Sequence, residues 1–190
     1  MLRLSGEFFN RKAELVAREL LGKIFVRKIN GCELKSKIVE TEAYYGSRDP
    51  ASRAFKKSRM AQPMFAKPGT FFIYNVHKYW MFNVVTEKEG IAGAVLIRAL
   101  EPLNFKANLS GPGRLTQTLA ITNAFNEKHI NKTEDIYFIK SNSEKNIKIA
   151  CSHRIGVSRD LRKKLRFFIQ GNKCVSRDSN PDNQLGRLKY

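Results

Sequence analysis

Apolar residues recur at helical spacing near the start of the chain. Five of them share one face of a helix predicted from about residue 11 to residue 21, namely Ala13, Val16, Ala17, Leu20 and Leu21. Asn10 is suited to cap the start of this helix and Gly22 to end it. The pattern predicts a helix that packs its apolar face on a core.

Runs rich in β-branched and aromatic residues follow the helix and predict a sheet. Strands are predicted over residues 23–29 and 33–45, and the Asn30-Gly31 pair between them favours a tight antiparallel hairpin. The apolar segments 70–86 and 90–100 extend the sheet.

The second half of the chain is more polar and adds shorter elements. A Ser-Gly-Pro-Gly turn opens a helix predicted over residues 110–120, residues 136–149 predict a polar hairpin, and residues 165–175 predict a closing strand. Strands and helices that do not strictly alternate favour an α+β fold. With 190 residues and 42% hydrophobic content, we expect a single compact domain over residues 1–177 and a loosely ordered tail over residues 178–190.

One predicted strand carries chemically reactive side chains. Side chains alternate along a strand, so Ile38, Glu40, Glu42 and Tyr44 are expected on one face, with each carboxylate about 6.5–7 Å from its next neighbour on that face. A carboxylate beside an aromatic ring suits an enzyme that stacks a flat substrate and places an acid or base next to the bond to be broken. A half-buried strand whose acids pair with nearby cations is an equally good interpretation of these residues alone.

The charge of the chain indicates a polyanionic partner. Lys and Arg number 35 against 17 acidic residues, which gives a formal net charge of +18. Because aromatic residues are interleaved with these cations, nucleic acid is favoured over an anionic membrane surface. The chain contains no stretch of some 18 apolar residues that would predict a membrane span. Its first residues do not resemble an export signal. We expect a cytoplasmic protein, associated with the nucleoid if bacterial.

The cysteines and histidines give no sign of a metal site. Cys32, Cys151 and Cys174 are widely separated, without a C-x-x-C pair, and the three histidines lack the spacing that places two imidazoles on one helical face. We therefore expect buried, reduced thiols, no metal and no cofactor.

Two further segments are candidates for phosphate contacts. Residues 46–69 contain three prolines and several cationic residues, with Lys67 near the end of the segment. A connection of this length in a compact domain usually has a function. The helix predicted after Ser110 begins near Arg114 and has free N–H groups that suit a phosphate. A simple capped helix is the alternative there.

Seven short segments together resemble the alkyladenine (methylpurine, or 3-methyladenine) DNA glycosylase family. In chain order they read IVETEAY, DPAS, MFAKPGT, FNVVT, LIRALEP, SGPGRLTQTLAI and RIGV, and the resemblance covers roughly residues 8–175. It implies a mixed domain around a curved, largely antiparallel sheet, similar also to formyltransferase C-terminal domains. It further implies a monofunctional repair enzyme that works as a monomer. Such an enzyme flips alkylated or deaminated purines of the 3-methyladenine, 7-methylguanine and hypoxanthine class out of duplex DNA and hydrolyses the N-glycosidic bond.

The resemblance implies a group that handles the attacking water. The water-activating glutamate of the family corresponds to Glu42. The arginine that helps to hold the water corresponds to Arg98, and the backbone carbonyl on its other side to that of Ile155. An arginine inside an apolar strand needs a partner, and Glu42 is the partner we expect.

The resemblance also implies the residues that hold the flipped base. Tyr44 and Tyr74 correspond to the two stacking rings, and Asn83 to the asparagine that excludes the amino group of guanine. Arg53 stands where many relatives carry a histidine that lines the base pocket. Because arginine is permanently charged and cannot accept a hydrogen bond, Arg53 either turns toward phosphate or favours neutral lesions.

The residue that fills the gap left by the flipped nucleotide is less well defined. The corresponding segment is one residue short here, so His77 is the first choice for the wedge and Tyr79 the second, while a shortened turn with a solvated His77 is a third interpretation. A non-catalytic basic nucleic-acid-binding protein is the alternative function. It explains the charge, but not a carboxylate-bearing strand in a chain that otherwise keeps acids away from its basic loops.

Overall fold

A single antiparallel sheet organises the molecule. The computed structural model describes residues 2–56, 59–141 and 147–176. The strands are β1 (Ile24–Ile29), β2 (Cys32–Tyr44), β3 (Phe71–Val76), β4 (Tyr79–Val85), β5 (Ala94–Pro102), β6 (Ile136–Ile139), β7 (Ile149–Ser152) and β8 (Arg166–Ile169). Their order is β3-β4-β5-β2-β1-β6, and β8 pairs with both β2 and β7. The result is the predicted α+β class in one compact domain.

The helices are short and lie around this sheet. They are α1 (Gly6–Phe9), α2 (Ala13–Leu20) and α3 (Pro112–Thr118), with 3-10 helices at Arg53–Lys56, Arg59–Phe65, Asn123–Phe125 and Ile130–Lys132. The apolar face of α2 joins the main core, as its spacing predicts. The predicted cap is wrong: Asn10 ends α1, and the backbone N–H of Ala13 instead donates to Glu87 Oε1 at 2.9 Å. Gly22, with φ of 84°, follows the end of α2.

Strand β2 is the centre of the sheet. Along one edge it pairs first with β1 and then with β8, and along the other edge it pairs with β5. The β2–β5 register shifts at Val39 and again at Arg98. Because an extra residue reverses the alternation, Ile38 points into the main core together with Ala43. The prediction that Ile38 shares a face with Glu40 and Glu42 is therefore wrong.

Two tight hairpins frame the sheet. Asn30 and Gly31 have φ of 48° and 79° and join β1 to β2, which confirms that predicted hairpin. The apolar segment 70–86 contains the β3–β4 hairpin, whose two-residue turn consists of His77 and Lys78. His77 adopts φ of 52°, a conformation that histidine tolerates better than most residues.

Several other expectations need correction. The described strands at the two ends of the range 136–149 do not pair with each other as a hairpin, because β6 pairs with β1 whereas β7 pairs with β8. The thiols are free but not buried, since Cys32 and Cys151 are exposed and Cys174 is half-buried. The predicted tail lies outside the described residues. Within the described ranges, no helix is long and apolar enough to cross a membrane.

The contact between Glu87 and α2 gives a test of this fold. Glu87→Ala should lower the free energy of unfolding by about 1 kcal/mol, because the N–H of Ala13 loses its acceptor. Urea denaturation measures this change. Glu89→Ala, a matched deletion at an exposed position of the same loop, should have little effect. Equal midpoints for the two variants would contradict the capping role.

Candidate active site

A cavity of about 360 Å³ opens at the carboxyl end of β2. Its wall includes Tyr44, Tyr74, Arg53, Arg98 and Ile155, so the structure brings together five of the residues that the sequence singles out. The volume lies in the range of about 300–1,000 Å³ that is usual for small-ligand pockets. The segment from Pro50 to Arg53 forms another part of the wall, so the long basic connection does belong to this cavity.

The carboxylate of Glu42 lies directly behind this wall. Its Oε2 accepts from the Tyr44 hydroxyl at 2.7 Å, and its Oε1 accepts from the backbone N–H of Ile155 at 2.8 Å. Arg98 Nη1 lies 3.3 Å from Oε1. Glu42 itself has 0% exposure and is separated from the cavity by these three partners. All three are donors, so they complement the acceptor oxygens of the carboxylate.

Arg98 connects this carboxylate to a second one. The Nε of Arg98 donates to Glu40 Oε1 at 3.0 Å, a shorter contact than the one with Glu42. Glu40 also accepts from Arg166 Nε at 2.7 Å and from the backbone N–H and hydroxyl of Ser176 at 2.7 and 2.8 Å. Arg98 therefore pairs with the expected Glu42 and also with Glu40, whose other partners are Arg166 and Ser176.

The charges of this group depend on burial and on one another. Burial disfavours the guanidinium of Arg98, yet Glu42 and Glu40 outweigh this effect and raise the pKa of Arg98. Burial raises the pKa of Tyr44 well above its ordinary value, and the negative charge of Glu42 adds to the shift. Tyr44 therefore stays protonated and keeps donating to Glu42 at any physiological pH.

Behind the ring of Tyr44 lies a buried cluster that sequence reasoning did not assign. The guanidinium of Arg154 lies 4.6 Å from the ring centroid. Its two terminal nitrogens each donate to Asp49 at 2.7 Å, and Asp160 accepts from Nη2 at 2.6 Å. Asp49 and Arg154 belong to the quoted DPAS and RIGV segments, but nothing in their local spacing indicated that the two segments meet. The cluster fixes the loop that carries Ile155 against the end of β2.

The second ring, Tyr74, also carries a cation. The guanidinium of Arg53 lies 4.4 Å from the Tyr74 ring centroid, and Phe72 packs beside the same ring at 5.0 Å between centroids. Burial raises the pKa of Tyr74, and the charge of Arg53 opposes part of that shift. Arg53 thus points toward the cavity instead of toward solvent.

Asn83 lies apart from the cavity wall. It is 2% exposed and donates its amide to the carbonyls of Phe72 and Met81 at 3.0 and 3.2 Å. Both carbonyls belong to the β3–β4 pair, so the amide ties the sheet together beneath the cavity. Its role in excluding guanine stays a prediction.

The two candidate wedge residues differ in their exposure. His77 is exposed at the tip of the β3–β4 hairpin, next to Val76, which lines the cavity. Tyr79 is half-buried, and its ring packs against Gly113 of α3 so closely that a Cβ on that glycine would come within 2.7 Å of a ring carbon. His77 is therefore accessible at the surface, whereas Tyr79 takes part in packing, and the choice of His77 as the wedge stays a prediction.

The predicted phosphate contacts fall in two different places. Arg114 is exposed and lines a second depression, which shares Arg98 and Ile155 with the main cavity. Lys67 lines a separate depression beside His129 and α1, with none of the residues of the main cavity. Arg114 is thus adjacent to the candidate site and Lys67 is not.

Comparisons with known proteins identify the family. Residues 7–173 match the sequence model of the methylpurine-DNA glycosylase (MPG) family. A protein of Aeropyrum pernix, provisionally named a 3-methyladenine DNA glycosylase, is 39% identical over 92% of this chain and 93% of its own length. A Clostridium perfringens protein with the same provisional name is 38% identical over 93% of this chain and 100% of its own length. The chain therefore belongs to the methylpurine-DNA glycosylase family.

Proposed function

We propose that this protein is a monofunctional DNA glycosylase that extrudes damaged purines from duplex DNA and hydrolyses their N-glycosidic bond. The observation that carries the proposal is the buried Glu42 carboxylate directly behind a purine-sized cavity that has tyrosines 44 and 74 in its wall. The family membership supplies the reaction class.

The tyrosines provide the energy to hold an extruded base. Extrusion costs a few kcal/mol of lost stacking and pairing, and least for a damaged base, whereas an aromatic wall returns about 1–3 kcal/mol per stacked base. Tyr44 and Tyr74 line the same cavity. A flat base between them would recover most of the cost of leaving the duplex.

Glu42 is the group that we assign to the water. A carboxylate has about four acceptor sites, and the described partners of Glu42 fill three of them, two on Oε1 and one on Oε2. The remaining site on Oε2 is available to one water. Glu42 is fully buried, so we propose that this water reaches Oε2 together with the substrate.

The reaction follows from these positions. As the C1′–N9 bond breaks, its electron pair leaves with the base, and the sugar develops oxocarbenium character that the negative Glu42 stabilises. The water oxygen then bonds to C1′ and passes its proton to Glu42. The amine nucleophile of strand-cleaving enzymes is a desolvated lysine, whereas Lys56 of the cavity wall is exposed. We therefore propose base release without strand cleavage.

The basic surface next to the cavity is the proposed DNA contact. His77 at the hairpin tip is the proposed wedge, and Arg114 the proposed phosphate contact at the edge of the site. The net charge of +18 supports binding to duplex DNA, and we propose that the protein does so as a monomer, in the compartment where it is made.

The primary test is incubation with duplexes that carry one hypoxanthine, one 7-methylguanine or one 3-methyladenine. We expect free base and an abasic duplex that breaks only after alkali treatment. Strand breaks without alkali would contradict the water mechanism. Intact binding without release from any duplex would support the non-catalytic binder instead.

A substitution isolates the role of Glu42. Glu42→Gln should retain DNA affinity and lose turnover by about 100-fold or more, because the amide cannot take the proton of the water. The fold should survive, since the Tyr44 hydroxyl can turn to accept from the new amide while Ile155 and Arg98 still meet an oxygen. Single-turnover kinetics measures the effect. Glu101→Gln, the same change on the neighbouring strand β5, where Glu101 pairs with Lys37, should keep full turnover. If Glu42→Gln retained full turnover, Glu42 would not be the residue that accepts the proton of the water.

A salt titration tests the proposed DNA surface. The logarithm of the association constant should fall by about 0.9 per logarithmic unit of salt for each phosphate neutralised. Arg114→Gln should therefore reduce that slope by about one unit, as measured by fluorescence anisotropy with an undamaged duplex. An unchanged slope would place the phosphate contacts elsewhere.

A further inference from the structure

Both tyrosines of the cavity have a guanidinium against the ring. Arg154 lies 4.6 Å from the Tyr44 centroid, and Arg53 lies 4.4 Å from the Tyr74 centroid. Each ring therefore already makes a cation–π contact with an arginine of the protein itself. A cation on a ring also draws its electron density, which weakens the attraction of the ring for a second cation.

The charge of the cavity wall is one-sided. Arg53, Lys56 and Arg98 line the cavity, and within the described chain no carboxylate does. Arg98 is balanced by Glu40 and Glu42 behind the wall, and Arg154 is balanced by two aspartates. Arg53, in contrast, makes no ion pair with an acid of the described residues, so its charge acts on whatever enters the cavity.

This arrangement disfavours a base that carries a positive charge. A purine alkylated at N7 or N3 is cationic while attached to the sugar, and it would enter beside the uncompensated guanidinium of Arg53. Like charges at close range in a partly desolvated cavity repel one another more strongly than in water. The two tyrosines cannot offset this repulsion fully, because each already has an arginine against it.

The same arrangement favours a neutral purine with a 6-oxo group. The fork of an arginine donates two parallel hydrogen bonds to O6 and N7 of such a purine, as it does to guanine in DNA recognition. When the bond to the sugar breaks, the electron pair makes the departing neutral base an anion until it takes a proton from solvent. The charge of Arg53 stabilises that anion as it forms.

We propose that Arg53 sets the substrate preference of this site, selecting neutral 6-oxopurines, of which hypoxanthine is the simplest, over cationic N-alkylated purines. This inference rests on the proposed function. Arg53 acts by direct contact with the base, and its charge and its fork make separable contributions.

The test compares two substrates across three variants. Single-turnover release rates are measured at subsaturating enzyme for duplexes with one hypoxanthine or one 7-methylguanine, and the ratio of the two rates is followed. Arg53→Gln should lower the hypoxanthine to 7-methylguanine ratio by about tenfold or more, with slower hypoxanthine release and faster 7-methylguanine release. Arg53→Lys keeps the charge but not the fork, so it should slow hypoxanthine release while 7-methylguanine release stays as slow as in the wild type.

A matched control separates this effect from general DNA binding. Arg48→Gln removes the same charge from an exposed position of the same connection, so it should change both rates equally and leave the ratio intact. A ratio for Arg53→Gln within about threefold of the wild type would overturn this inference and leave the proposed function standing. Release of neither base by the wild-type protein would overturn both.

Discussion

The fold of this protein is arranged to keep a buried ion-pair network intact at the centre of its sheet. Glu40 and Glu42 have no exposed surface, and Arg98 lies against both of them. Buried charges of this kind are tolerated only when every one is paired, and removal of one partner costs about 3–5 kcal/mol. Strands β2, β5 and β8 each contribute a residue to this network, and Ser176 contributes another. The register shifts at Val39 and Arg98 bring the two carboxylates and the arginine together. The sheet thus fixes the position of Glu42 before any substrate arrives.

A second buried cluster connects this network to the cavity. Arg154 binds both Asp49 and Asp160 and lies behind the ring of Tyr44. One side chain therefore holds the connection after β2, which contains Asp49, against the connection between β7 and β8, which contains Asp160. The hydroxyl of Tyr44 in turn donates to Glu42 and so helps to fix the position of its carboxylate. Two carboxylate–guanidinium clusters, one at the hydroxyl and one against the ring of Tyr44, therefore define a site whose electrostatics are preorganised.

Much of this architecture could be predicted from the sequence, and the exceptions have a common cause. The β1–β2 hairpin follows from Asn30-Gly31, and the shared face of Glu40, Glu42 and Tyr44 follows from alternation, because both depend on neighbouring residues. The predicted face of Ile38 is wrong because the position of a β-bulge depends on the partner strand, which the local sequence does not reveal. The hairpin predicted over residues 136–149 is wrong because β6 pairs with β1, far earlier in the chain, whereas β7 pairs with the following strand β8. The roles of Arg154, Arg166 and Ser176 could not be predicted because each has an acidic partner far away in the sequence. The separation is 105 residues for Arg154 and Asp49, 126 for Arg166 and Glu40, and 136 for Ser176 and Glu40.

The central claim is that Glu42 acts on a water at the sugar of a nucleotide held between Tyr44 and Tyr74. A crystal structure with a duplex that contains a cationic mimic of the abasic sugar tests it most directly. The account predicts the mimic at the mouth of this cavity, with one water within hydrogen-bond distance of the Glu42 carboxylate and of the sugar ring. A mimic bound elsewhere, or a Glu42 still sealed from water behind Tyr44, Arg98 and Ile155, would contradict it.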